Sequence, residues 1–195
     1  MKKIIGIFYV YLFFVGCGVA GTSGTISAQS STTLDQFELG PYRFDGIAGV
    51  SINKYNGAGG TITIPREING LPVRAIGNES FSGKEILDIT IPDSIIYIGS
   101  NAFSGNLLAG VTIPNSVKFI EAGAFYNNLL ASVTIPNSVT SIEEGAFAHN
   151  LLTSVTIGAN VKGSQAFPDG FWRAYNGVAG TYTRPDVNSN TWTKR

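Results

Sequence analysis

Between residues 89 and 157 the chain states one 22-residue phrase three times and opens a fourth. The blocks ITIPDSIIYIGSNAFSGNLLAG, VTIPNSVKFIEAGAFYNNLLAS and VTIPNSVTSIEEGAFAHNLLTS begin at Ile89, Val111 and Val133, and Val155 begins the next. A fixed period of this length marks a solenoid, in which each unit buries its apolar face only by stacking on its neighbours. Such a chain offers an extended surface in place of a deep pocket. That constrains every functional reading.

Aligned, the blocks give columns. Apolar side chains recur at Ile89/Val111/Val133, Ile91/Ile113/Ile135, Ile95/Val117/Val139, Ile98/Ile120/Ile142, Phe103/Phe125/Phe147 and Leu108/Leu130/Leu152. Thr90, Thr112 and Thr134 separate the first two columns, so each block opens with a short strand that turns its threonine outward. Pro92, Pro114 and Pro136 end that strand, because proline cannot donate to a ladder. A second short extended piece follows, as in SVKFI, and a helical turn or irregular coil brings the phenylalanine into the core. The first unit runs from Ile62 to Asp88, five residues longer than the others. At the far end Gly158 replaces the proline and Phe167 arrives two residues early. Terminal units of a solenoid differ in this way because one side has no neighbour. Residues 34–61 read as paired strands capping the first repeat. Residues 168–195, with Phe171, Trp172, Tyr175, Tyr182 and Trp192, read as an aromatic cap on the last.

The amino end has an export layout. Lys2 and Lys3 precede the apolar run IIGIFYVYLFFVG, which is too short to span a bilayer. The segment Phe14-Val15-Gly16-Cys17 resembles a bacterial lipoprotein signal, with Phe14 where leucine is usual. Residues 1–17 then form the signal peptide, Cys17 is lipidated, and 18–33 is a flexible tether of Gly, Ser, Thr and Ala. Cleavage after Ala28 and free secretion is the alternative. With one cysteine, no disulfide within the chain is available.

The paired leucines followed by VTIPNSVxxIxxxAFxxN strongly resemble the leucine-rich repeats of bacterial BspA-like surface proteins, in the form common in treponemes. Ile62 to Ile157 carries the motif, and Asn69-Gly70-Leu71-Pro72-Val73 before Ile76-Gly77 looks like the usual first repeat of that family. Asn106, Asn128 and Asn150 hold the column before the leucines, with Lys84 in the first repeat. The resemblance implies a leucine-rich-repeat solenoid over 62–167: short parallel strands on one face, extended or irregular segments on the other, and terminal caps. It also implies a non-enzymatic binding module of the cell envelope or outer surface, directed at extracellular or host proteins.

Charge and chemistry narrow the field further. Charged residues are 13% of the chain, with 13 basic and 13 acidic side chains, so no field draws nucleic acid. Near-neutrality also leaves self-association open, as a structural envelope role would require. The single histidine, His149, sits in a slot held by Gly105 and Asn127 elsewhere, which marks a solvent-facing position. Glu143 and Glu144 read as a solvated face, and GAGG at 57–60 lacks the lysine and helix of a phosphate loop. No catalytic residue, metal site or cofactor is expected. Binding has two candidate faces. One is the hydroxyl ladder Thr90, Thr112, Thr134 and Thr156. The other carries Tyr97 and Phe119 in a slot held by Ala75 and Ser141, with Tyr126 as an extension. Large aromatics dominate interface hot spots, which favours the second face for protein partners. The C-terminal aromatics and Asn-rich faces leave carbohydrate binding as a third reading.

Overall fold

The columns of the sequence become the faces of a β-solenoid of about five turns in the computed structural model. It describes residues 34–159, 161–163 and 165–195. The export signal, Cys17, the cleavage point after Ala28 and the 18–33 tether lie outside the described residues.

After a short 3-10 turn at Leu34–Gln36, β1 (Phe37–Phe44) and β2 (Ile47–Tyr55) pair antiparallel. Asp45 and Gly46 close this hairpin with φ of 47° and 75°, the mirror-image turn that matches strand twist. The first coil follows with β3 (Gly60–Thr63), β4 (Glu67–Ile68) and β5 (Leu71–Ile76), the last two joined through Asn69-Gly70. The coils then supply strands to two faces: β6 (Ile86–Thr90), β7 (Tyr97–Ile98), β8 (Phe119–Ile120), β9 (Ser132–Ile135), β10 (Ser141–Ile142), β11 (Ser154–Ile157) and β12 (Lys162–Gly163). A one-turn helix α1 (Phe171–Tyr175), then β13 (Gly180–Thr183) and β14 (Thr193–Lys194), complete the chain.

The continuous sheet is formed by the second extended piece of each repeat. Its main path is β1-β2-β5-β7-β8-β10-β12, parallel after the antiparallel β1–β2 pair, and β4 joins β5 antiparallel off this path. The threonine-bearing strands form two shorter sheets, β3-β6 and β14-β13-β11-β9. The strand expected over Val111–Ile113 is not formed, so that face is split. Gly110 stands in the slot of Asp88, Ser132 and Ser154, and a glycine loses more freedom on extending while offering no side chain to pack.

Three internal ladders hold the coils together. Ile52, Ile76, Ile98, Ile120 and Ile142 line the inner side of the continuous sheet, all fully buried. Phe81, Phe103, Phe125, Phe147 and Phe167 stack with ring centroids 5.1–5.2 Å apart. Tyr55 continues this stack at one end, 5.0 Å from Phe81, and Phe171 at the other, 4.4 Å from Phe167. The asparagines Asn106, Asn128 and Asn150 are buried and serve the backbone where no strand does. Asn128 Nδ2 donates to the carbonyls of Phe103 (2.9 Å) and Phe125 (3.2 Å), while its Oδ1 accepts from the Leu108 N–H (3.2 Å). Asn106 and Asn150 repeat the pattern one coil to either side. A buried polar group is tolerated when its bonds are made, and here the side chain satisfies backbone groups of two coils at once.

Candidate functional site

The continuous sheet sets Ser51, Ala75, Tyr97, Phe119 and Ser141 in one outward row, each the register partner of the next. Tyr97 and Phe119 are therefore side by side on adjacent strands. Both are half-buried, and what covers them is the N-terminal hairpin. Phe44, at the tip of β1, packs edge-on against Phe119 with centroids 5.3 Å apart. In sheet order β2, β5 and β7 lie between those strands, so the hairpin tip arches over the outer face. Under the arch is an open cleft of about 420 Å³, lined by Tyr42, Arg43, Phe44, Asn53, Tyr97, Phe119 and Glu121, among others.

The electrostatics of this cleft are those of a partly dried site. Burial pushes the Tyr97 hydroxyl above its ordinary range, and the nearby Glu121 carboxylate adds to the rise. Burial likewise raises the Glu121 carboxyl, with the negative charge of Glu143 on the next coil as the second cause. Tyr42 is raised by burial as well, and its hydroxyl is cut off from solvent without a hydrogen-bond partner. The sequence places Tyr42 and Phe44 in the N-terminal cap and assigns them to neither binding face. Their signal was there, because residues two apart on a strand share a face. What the sequence withheld was that this face turns back over coils three strands away.

The threonine face is different. Thr90, Thr112 and Thr134 are exposed, whereas Thr156 is half-buried and its hydroxyl bonds that of Thr181 at 2.8 Å. Thr134 and Thr156 are register partners, as are Thr63 and Thr90, but the break at Val111–Ile113 separates the pairs. Open depressions of about 710 and 620 Å³ flank the break, the first lined by Thr112, Thr134 and Thr156 and the second by Thr90 and Thr112. Tyr126 lies with neither face. It packs against exposed His149, centroids 4.7 Å apart, beside a separate depression that also holds Glu144, Arg184 and Val187.

At the C-terminal end the aromatics close the core. Phe171, Tyr175, Tyr182 and Trp192 are buried, and Trp172 packs half-buried against them. Tyr175 donates to the Gly158 carbonyl (2.6 Å) and accepts from the Val161 N–H (2.9 Å). Buried Arg184 reaches the Leu152 carbonyl (2.6 Å) and lies over Trp192. Carbohydrate recognition through stacked C-terminal rings loses its main support, since these rings face the protein. Among the described residues no cluster of three or more His, Cys, Asp or Glu is placed to hold a metal ion, and no helix is long and apolar enough to cross a membrane.

Comparison with known proteins agrees with this architecture. A family model for the BspA type leucine-rich repeat region matches residues 61–169 in six copies, more than half of the chain. No curated protein matches. Among solved structures, the chain resembles a leucine-rich repeat protein from Bacteroides ovatus ATCC 8483, with a TM-score of 0.50 and 24% identity, covering 68% of this chain and 37% of that one. A leucine-rich repeat protein from T. pallidum gives a TM-score of 0.37 and 21% identity over 73% of this chain and 92% of the other. A leucine rich cell surface protein from Faecalibacterium prausnitzii A2-165 gives 0.36 and 19% over 74% and 58%. The chain thus spans little more than a third of the Bacteroides protein.

Proposed function

This chain belongs to the BspA type leucine-rich repeat family, and from that premise we propose that it is a non-enzymatic module of the cell surface that binds proteins through the hairpin-covered aromatic row. Adhesion to host matrix or cell-surface proteins is the specific form proposed, with export followed either by lipidation of Cys17, which holds the chain at the envelope, or by cleavage after Ala28, which releases it as a secreted protein. The observation that carries the reading is the half-buried Tyr97–Phe119 pair beneath Phe44, on the one sheet face that runs unbroken through the repeats. Aromatic anchors in a partly dried recess, ringed by polar side chains, are the usual centre of a protein interface. Solid-phase binding of the full chain to fibronectin, laminin, collagen and host-cell extract tests it. Saturable binding that a Tyr97→Ser/Phe119→Ser double variant loses is the expected result. Binding unchanged in that variant, or absent from the whole panel, contradicts it.

One observation favours a second reading, self-association. Leu107, Leu129 and Leu151 form an exposed column in successive coils, 43%, 45% and 48% accessible. A neutral chain with a leucine stripe has little to keep copies apart. Sedimentation of the full chain at rising concentration, with a Leu129→Lys variant beside it, decides. A monomer at all concentrations removes this reading.

A further inference from the structure

The cleft under the hairpin has a composition that singles out a ligand chemistry. Tyr42, Phe44, Tyr97 and Phe119 supply four aromatic rings, and Glu121 supplies a carboxylate at their edge. Glu143 sits on the following coil close enough to repel Glu121. The ion pairs among the described residues are Lys54–Glu38 and Arg66–Asp93, so neither Glu121 nor Glu143 has a cationic partner there. Among the described residues Glu143 accepts a hydrogen bond from the Ser141 hydroxyl, at 2.6 Å. Glu121, unpaired among the described residues and reinforced by Glu143 on the next coil, stands beside a wall of aromatic faces and makes that edge of the cleft complementary to a positive group. The rings attract a cation through their quadrupoles, and the carboxylates attract it directly.

We infer that the cleft receives a cationic side chain, lysine or arginine, presented by a bound protein. This rests on the binding-module reading and names the chemistry of its anchor. The volume of about 420 Å³ and the open mouth suit a long side chain that lays its methylenes along the rings and brings its charge to Glu121. Arg43 is the basic side chain that also lines the cleft. It is exposed, so it can swing aside, and it competes with the ligand.

The test is a titration of the full chain with Nα-acetyl-lysine methylamide, Nα-acetyl-arginine methylamide and the neutral Nα-acetyl-norleucine methylamide, followed by amide chemical shifts at low salt. A cationic probe is expected to shift residues 42–44, 97, 119 and 121, with norleucine at least about fivefold weaker. Glu121→Gln and Phe119→Ser are each expected to weaken the cation about tenfold, whereas Arg43→Ala strengthens it about twofold. The variant Glu144→Gln, on another face, leaves it unchanged. Norleucine binding as well as lysine would reduce the cleft to an apolar recess and overturn the inference. Loss of cation binding in Arg43→Ala would show that Arg43 holds the probe and does not compete with it, with the same result. If no probe shifts the cleft yet the Tyr97→Ser/Phe119→Ser variant still abolishes capture of a matrix protein, the cation site is wrong and the binding module stands.

Discussion

At the scale of single residues, stability and binding both turn on polar groups placed where water is scarce. Asn128 is the clearest structural case, since its amide bonds backbone groups of two coils. Asn128→Ala strands those groups in the interior and is expected to cost about 3 kcal/mol of stability, read as a lowered denaturation midpoint. A loss below about 0.5 kcal/mol would show the ladder to be dispensable. Glu121 is the functional counterpart. Its carboxyl is raised first by burial and second by Glu143, with Tyr97 opposing the rise; Tyr42 and Arg43 face the same cleft from the hairpin. A carboxyl raised above its unfolded value makes its charged form the costlier one in the fold. The penalty is complete above the folded pKa and is relieved as pH falls through it. Glu121→Gln is therefore expected to raise the melting temperature at neutral pH and to give no gain near pH 3.5, below the unfolded value of about 4.3. An equal gain at both pH values would deny that charge is the cause.

At the scale of elements, the repeat columns foretold the inward-facing residues well. Period-two alternation marks a strand whichever coil it lies in, and the isoleucine, phenylalanine and leucine columns all enter the core. The break at Val111–Ile113 was not legible, because that block matches the repeat as well as its neighbours do and only Gly110 differs in the flanking slot. A Cβ on Gly110 meets no atom within 4 Å. Gly110→Ser is expected to add about 0.5–1 kcal/mol and to slow amide exchange at 111–113, as the two threonine sheets join. A fall in stability would mean the break is imposed by the neighbouring coils. The arch of the hairpin was equally invisible to columns. It depends on Phe44 finding Phe119 across sequence and sheet alike, a contact no periodicity encodes.

At the scale of the whole molecule, the core is one aromatic column from Phe37 through Phe81, Phe125 and Phe167 to Phe171, with a hairpin at one end and a knot of rings at the other. Each coil is buried only by its neighbours, so damage in the middle propagates to both ends. Phe125→Ala is expected to cost about 3–5 kcal/mol and to leave a single unfolding transition, since the remaining halves are too short to stand alone. Two separate transitions would contradict that cooperativity. The two outer faces divide the functional question. One is an unbroken sheet carrying aromatics under a hairpin, and the other is a split ladder of hydroxyls. The most direct measurement is binding of the full chain to host-cell surface protein, comparing Tyr97→Ser/Phe119→Ser with Thr90→Lys/Thr134→Lys. Loss in the first pair and retention in the second is the predicted result. The reverse would move the contact face to the threonines and contradict the account.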